Sequence, residues 1–234
     1  MRATLADAAT LPAPAAPGLR IPEPKLLPTS AALARSAPVL RPVVARGRPL
    51  SGAAVVADLS TRTPEGTTNL VLAIGRHRDE RGNLGVRVRL PVLPAGTTGW
   101  VPRQALGGYT IVRTHLVVDL GSTEATLLAN GRVVFRASVG VGRPESPTPT
   151  GQFYVRDKLT SFASPFYGPV AFGTSARSAV LTDWPAGGFI GIHGTSRPDL
   201  IPGRISHGCI RMRNSDIVRL AALMPIGTPL TIVS

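Results

Sequence analysis

The stretch Ser206-His207-Gly208-Cys209-Ile210-Arg211-Met212 holds the only cysteine of the chain, and the short motif His193-Gly194-Thr195 places a histidine sixteen positions before that cysteine. A thiol attacks carbonyl carbon as its thiolate, which a neighbouring imidazole can generate. Both His193 and His207 are within folding reach of Cys209. The two motifs therefore predict a thiol nucleophile with an imidazole base, and hence a cysteine acyltransferase.

Gly208 lets the backbone turn sharply beside the cysteine. We therefore expect N–H groups around Gly208 and Cys209 to form an oxyanion hole for a substrate carbonyl. Other interpretations stay open at this point. Cys209 could be a buried structural cysteine and His207 a histidine that only orders the loop. His193, His207 and Cys209 could also supply three ligands to zinc, although the usual zinc spacings and an HExxH motif are missing.

Short β-type runs surround these motifs. Ile111 to Leu120 is a candidate strand, and Asn130-Gly131 joins the runs 125–129 and 132–139. Asn-Gly between two such runs is the strongest short-range signal of a hairpin, because both residues tolerate positive φ. Near the C-terminus, Asn214 or Ser215 can cap a short helix over 216–224, and residues 228–233 follow as a strand. A mostly β fold is therefore expected.

The first part of the chain differs in composition. Residues 1–36 are rich in Pro and Ala and show no hydrophobic period, which predicts an extended linker or tail. Residues 37–107 contain short strands, among them 68–74 and 84–90 with the turn segment 76–83 between them, and predict a small barrel. The Leu90-Pro91-Val92-Leu93-Pro94 and Gly99-Trp100-Val101-Pro102 runs of this stretch resemble those of a bacterial SH3-like module.

The formal net charge is +13, which favours anionic surroundings such as nucleic acid, an acidic membrane or a cell-wall polymer. The basic residues are scattered and are not interleaved with aromatic residues, so nucleic-acid binding is not expected. One cysteine allows no internal disulfide. No apolar run is long enough to span a membrane, and residues 1–7 lack the apolar segment of a secretion signal.

Together the His193-Gly194-Thr195 element and the run 206–216 resemble the signature of the YkuD-type L,D-transpeptidases. The resemblance extends from about Leu116 to the C-terminus and includes the Pro147-Thr148-Pro149-Thr150-Gly151 loop and the Gly227-Thr228-Pro229-Leu230 run. It implies a β-sandwich catalytic domain over residues 108–234 with a short C-terminal helix, preceded by the SH3-like β-barrel of residues 37–107.

The resemblance also implies roles for single residues. Cys209 would attack the diaminopimelate carbonyl of a peptidoglycan tetrapeptide stem, and His193 would act as base with its ring oriented by the backbone carbonyl of Gly194. His207 and Ser206 would line and order the nucleophile loop. Arg211 would contact a substrate carboxylate, or instead form a structural salt bridge with Asp216 or another acidic residue.

The remaining implications concern partners and location. The partners would be stem peptides, with carbapenem β-lactams as inhibitors, and no cofactor or metal is called for. Because peptidoglycan lies outside the membrane, the resemblance implies an extracytoplasmic protein whose signal or anchor is not part of this sequence. The acceptor could be an amine of another stem, water or a lipoprotein lysine. A peptidase of the NlpC/P60 type is disfavoured because its Cys precedes its His. An inactive wall-binding protein is disfavoured by the intact motifs.

Overall fold

The computed structural model describes residues 33–160, 165–181 and 188–234. Within these ranges the chain forms seventeen strands and one α-helix, which agrees with the expected mostly β fold. The strands form two sheets, one of seven strands and one of ten. The first sheet comes from the N-terminal part of the chain, and the second, which carries the candidate site, follows it.

The seven-stranded sheet is antiparallel throughout, in the order β3-β2-β6-β5-β4-β1-β7. Its strands are β1 (Ala34–Pro38), β2 (Val43–Arg46), β3 (Val55–Leu59), β4 (Leu70–Arg78), β5 (Leu84–Arg89), β6 (Thr98–Pro102) and β7 (Thr110–Val112). Small and β-branched side chains such as Ala37, Val71 and Val88 fill a separate core on this sheet. In this order β3 and β7 are the edge strands, and the SH3-like assignment stays a prediction.

The limits expected for the N-terminal regions need correction. β1 begins at Ala34, inside the stretch 1–36 that was expected to be a tail, and β7 lies beyond residue 107. The two strands pair with each other, with Ala34 opposite Val112, and both side chains are buried. Because this pair is buried, the first and last strands of the N-terminal part, β1 and β7, lie side by side in one sheet. The rest of the predicted tail, residues 1–32, lies outside the described residues.

Two strand predictions also change. The expected turn 76–83 is shorter, because β4 continues to Arg78 and the carboxylate of Asp79 accepts the N–H groups of Arg81 and Asn83 to close the turn. The candidate strand Ile111–Leu120 divides at Arg113. Its first part pairs with β1 in the first sheet and its second part pairs in the second sheet, so one apolar run serves both cores.

The ten-stranded sheet has the order β10-β9-β8-β17-β12-β13-β14-β16-β11-β15. Its strands are β8 (Thr114–Asp119), β9 (Glu124–Ala129), β10 (Arg132–Ser138), β11 (Gly140–Gly142), β12 (Gly151–Leu159), β13 (Ala171–Arg177), β14 (Phe189–His193), β15 (Gly203–Ser206), β16 (Ile210–Arg211) and β17 (Pro229–Val233). The predicted hairpin is confirmed, since Asn130 and Gly131 take φ of 51° and 77° between β9 and β10.

β12 joins the two halves of this sheet. Residues 151–154 pair with β17, and residues 155 and 157–159 pair with β13, with a register shift between Val155 and Asp157. Such a shift bends a strand and turns it into a second layer. Side chains from both halves, among them Leu116, Phe153 and Ile192, share one core, as expected for a β-sandwich.

The one described α-helix, α1, spans Asn214–Leu223 and packs Ile217 and Leu220 into this core. It begins two residues earlier than expected. Neither predicted cap is used, because Arg213 occupies the N-cap position and no side chain caps the helix there. Asn214 instead bonds outside the helix, to the loop that follows His193.

Candidate active site

Two parallel strands bring the histidine and cysteine motifs together. β14 and β16 are neighbours in the sheet, with His193 opposite Arg211, and the N–H of Met212 donates to the carbonyl of His193 at 2.8 Å. Cys209 immediately precedes β16. The sixteen-position separation seen in the sequence is therefore closed by direct strand pairing.

Ser206 holds the loop that presents the cysteine. Its hydroxyl accepts the N–H of Gly208 at 3.1 Å and donates to the carbonyl of Cys209 at 2.6 Å. Gly208 has a φ of 115°, and a Cβ there would lie 2.9 Å from Cδ1 of Ile190. Only glycine fits such a position without strain. The N–H of Gly208, one of the expected oxyanion donors, is already used by Ser206.

Thr148 supports the same loop from the other side. Its hydroxyl donates to the carbonyl of Gly208 and accepts the N–H of Gly142, each at 2.8 Å. All three residues are buried. Since unpaired buried polar groups are costly, Thr148 fixes the loop through both of its bonds.

The thiol of Cys209 is largely enclosed. Burial raises the pKa of the Cys209 thiol, and the N–H of Gly191, which donates to Sγ at 3.4 Å, and the charge of Arg211 oppose that rise. The thiol is therefore neutral at rest. A base is needed at the moment of attack.

His193 is suited to be that base. Its side chain is buried, and Nδ1 lies 2.6 Å from the carbonyl oxygen of Gly194. Because a carbonyl only accepts, Nδ1 carries the proton and Nε2 keeps a free lone pair. Burial lowers the pKa of His193 to about 4, the bond to Gly194 opposes this and the charge of Arg211 adds to it.

Gly191 lies between the base and the thiol. A Cβ on Gly191 would lie 3.7 Å from Cδ2 of His193, the ring atom next to Nε2, and 3.9 Å from Sγ of Cys209. The Nε2 edge of the ring and the thiol thus flank the same glycine. No hydrogen bond joins His193 to Cys209 in the described structure, and catalytic bonds are often longer before substrate binds.

Asn214 fixes the peptide group that orients His193. Its side-chain oxygen accepts the N–H of Thr195 at 2.9 Å. That N–H and the carbonyl of Gly194 belong to one planar peptide unit, so holding the first aims the second at Nδ1 of His193. The structure thus gives Asn214 a contact that its expected role as a helix cap did not include.

A cavity of about 310 Å³ opens onto these groups. Its lining includes His193, His207, Cys209 and Arg211, together with Phe166, Tyr167 and Phe189. The Tyr167 ring meets the His193 ring edge to face with centroids 4.8 Å apart. The side chain of His207 is exposed, in keeping with a place on the rim.

Arg211 had two expected roles. Nε of Arg211 is buried without a hydrogen-bond partner, and among the ion pairs of the described residues none joins Arg211 to Asp216. The expected salt bridge is therefore absent in that part of the chain. The guanidinium lies instead on the wall of the cavity that holds Cys209.

The zinc alternative meets a geometric obstacle. In the described ranges, no group of three or more His, Cys, Asp or Glu side chains is arranged to hold a metal ion. His193, His207 and Cys209 therefore do not make such a ligand set. No helix of the described chain is long and apolar enough to cross a membrane.

Comparison with known families gives a direct match. The model of the YkuD family, the L,D-transpeptidase catalytic domain, matches residues 113–232, half of the chain. The chain belongs to the YkuD family of L,D-transpeptidases. The matched residues include every residue of the site described above.

Curated relatives support the same domain. YkuD of Bacillus subtilis (strain 168), which is assigned to the L,D-transpeptidases, is 36% identical over 118 residues, half of this chain and 65% of that protein. YqjB of the same organism is 31% identical over 123 residues, 49% of this chain and 68% of that protein. The chain thus spans about two thirds of the length of these relatives.

Solved structures of L,D-transpeptidases are also similar. A cysteine-to-serine variant of the Enterococcus faecium enzyme is 25% identical with a TM-score of 0.41, over 51% of this chain and 49% of that one. An LD transpeptidase in complex with imipenem is 18% identical with a TM-score of 0.43, over 64% of this chain and 91% of that one.

Sequence reasoning missed several residues of this site. The aromatic wall of Phe166, Tyr167 and Phe189 carries no motif, because single aromatic residues are usual in cores. Thr148 lay in a loop that the resemblance included, without a role of its own. Its signal was a polar residue between two prolines, next to a glycine-rich strand.

Proposed function

We propose that the chain is a peptidoglycan L,D-transpeptidase in which Cys209 is the nucleophile and His193 the base. The observation that carries the proposal is the 2.6 Å contact between Nδ1 of His193 and the Gly194 carbonyl. This contact leaves the lone pair of Nε2 beside the thiol of the chain's single cysteine. The carbonyl orients the imidazole ring and selects its tautomer, as the aspartate carboxylate does in serine proteases.

The first half-reaction forms an acyl-enzyme. Nε2 of His193 takes the thiol proton as Sγ attacks the diaminopimelate carbonyl of a tetrapeptide stem. Backbone N–H groups beside Cys209 stabilise the resulting oxyanion. His193 then returns the proton to the departing amine, so that D-alanine leaves and a thioester with Cys209 remains.

The second half-reaction transfers the acyl group. The side-chain amine of a second stem attacks the thioester, His193 takes a proton from that amine, and the thiol is restored. The product is a 3→3 cross-link. Attack by water would give a carboxypeptidase, and attack by a lipoprotein lysine would anchor that protein to the wall.

Arg211 supplies a place for a substrate carboxylate. Its Nε is buried without a partner on the wall of the cavity that contains Sγ. A guanidinium pairs with carboxylates in a bidentate way, and a stem peptide carries several of them. The basic balance of +13 suits an anionic wall polymer. Because peptidoglycan lies outside the membrane, we propose an extracytoplasmic location.

The proposal is tested with purified disaccharide tetrapeptides as both donor and acceptor. Mass spectrometry of the products should show release of D-alanine and a cross-linked dimer, and Cys209→Ala should abolish both. Ser215→Ala, an exposed change on α1, serves as the matched control. D-alanine release without a dimer would favour the carboxypeptidase, and no release by the folded wild-type protein would overturn the proposal.

A further inference from the structure

A buried arginine connects the two sheets. Arg156 lies on β12 of the ten-stranded sheet, and its side chain is 2% exposed. Its NH2 is 3.0 Å from a carboxylate oxygen of Glu65, which belongs to the loop between β3 and β4 of the first sheet. The neighbouring Asp157 is at 3.9 Å. Among the described residues, the nearest counter-charge to this buried cation thus comes from a loop of the first sheet.

The same arginine stacks on the wall of the active-site cavity. Its guanidinium carbon is 3.9 Å from the ring centroid of Phe189, and Phe189 lines the cavity that contains Cys209. Nε and NH1 of Arg156 are buried without hydrogen-bond partners. The face of the Phe189 ring is therefore the contact that compensates the unbonded part of this cation.

The local backbone explains how Arg156 reaches both partners. The β12–β13 register shifts between Val155 and Asp157, so Arg156 is the extra residue of a bulge. A bulge re-aims a side chain that regular pairing would direct elsewhere. The carboxylate of Asp157 is held separately, by the N–H of Gly173 and by the hydroxyl of Thr67 in the loop between β3 and β4.

Stability alone does not account for such an arrangement. Buried ion pairs contribute little to stability compared with apolar residues of similar size, because desolvation offsets the attraction between the charges. The ion pair does fix the orientation of the Arg156 guanidinium. A guanidinium held at one edge by a carboxylate presents its flat face to Phe189.

We propose that Arg156, fixed by Glu65, is a positioning residue that holds Phe189 as a wall of the acyl-donor cavity, so that the first sheet sets the shape of the active site. The inference rests on the proposed function, whose acyl donor would occupy that cavity. The N-terminal sheet would then take part in substrate selection without itself contacting peptidoglycan.

The test compares Glu65→Gln, Arg156→Lys and Phe189→Leu with wild type. Arg156→Lys keeps the buried charge and loses the planar face. It is a second variant that keeps the proposal testable if Glu65→Gln does not fold. Glu124→Gln is the matched control, because it breaks an exposed pair with Arg136 far along the sheet. Acylation of Cys209 by imipenem is followed by mass spectrometry over a concentration series, with melting temperatures measured in parallel.

We expect the three variants to raise the half-saturating imipenem concentration about fivefold with a smaller change in the maximal rate, because small displacements around a reacting group are costly. The control should match wild type. A purely structural role would lower the melting temperature and leave half-saturation unchanged in the folded fraction. That result for both Glu65→Gln and Arg156→Lys would overturn the inference.

A second readout separates this inference from the proposed function. Iodoacetamide alkylates the single thiol, Cys209, whether or not the protein is a transpeptidase. If imipenem does not react with wild type, the proposed function fails. The alkylation rate still measures how well the cavity wall shields the thiol of Cys209. A rate about threefold higher in Arg156→Lys supports the inference, because reactivity follows exposure of the thiol. An unchanged rate contradicts it.

Discussion

Nδ1 of His193 lies 2.6 Å from the carbonyl oxygen of Gly194, the next residue in the chain. The carbonyl can only accept, so this contact determines which ring nitrogen carries the proton. It leaves Nε2 able to take the proton of Cys209. A backbone carbonyl therefore fixes the tautomer that the proposed mechanism needs.

The pH dependence of acylation should reflect the buried ring. Burial lowers the pKa of His193 from 6.5 to about 4, so the ring stays neutral and basic throughout the mildly acidic range. The second-order rate of Cys209 acylation should be flat from about pH 6 to 8 and fall about tenfold per pH unit below the pKa of His193. A midpoint near the ordinary histidine value would contradict the assignment.

The same pKa predicts how stability changes with pH. Between pH 6.5 and about 4, His193 is protonated in the unfolded chain and neutral in the folded chain. The free energy of unfolding therefore decreases as pH falls through this window. The contribution is about 3 kcal/mol. Denaturation with urea should show a wild-type loss of this order that His193→Gln lacks. Equal losses in both proteins would argue against a buried neutral ring.

Asn214→Ala should slow acylation about tenfold, because the peptide between Gly194 and Thr195 loses the bond that orients it toward His193. Stability should fall by only about 1 kcal/mol. Acylation kinetics and urea denaturation measure the two effects. Ser215→Ala, its neighbour on α1, should change neither, and a normal acylation rate in folded Asn214→Ala would exclude the orienting role.

Thr148→Val should destabilise the protein by about 2–3 kcal/mol, because it leaves the N–H of Gly142 and the carbonyl of Gly208 buried and unpaired. The acylation rate should fall as well, since Gly208 precedes Cys209, the proposed nucleophile. Thermal and urea denaturation test the first effect. Thr126→Val on β9, whose hydroxyl donates to the exposed side chain of Glu124, is the control and should cost far less.

The residues that the sequence could identify are those whose roles depend on neighbours in the chain. Cys209, Gly208 and Ser206 lie in one loop, and His193 and Gly194 are adjacent. Asn130-Gly131 determined its hairpin for the same reason. In each case the decisive contact spans at most a few positions, so a local pattern is enough to predict it.

Contacts between distant segments could not be predicted in this way. Arg156 and Glu65 are 91 positions apart, and neither lies in a recognisable motif. Asn214 had a plausible local role as a helix cap, and only the packing of α1 against the loop after β14 replaces it with the bond to Thr195. The run 111–120 reads as one strand because its division depends on a second sheet that pairs with its first part.

The intact mass of the protein after exposure to imipenem probes the proposed nucleophile, base and cavity in one experiment. The strained amide of a β-lactam should acylate Cys209 through the same base and the same cavity as the acyl donor. We expect a single covalent adduct on wild type that Cys209→Ala lacks and that His193→Ala forms at least about 10²-fold more slowly. An unmodified wild-type protein, or an adduct that persists in Cys209→Ala, would contradict this expectation.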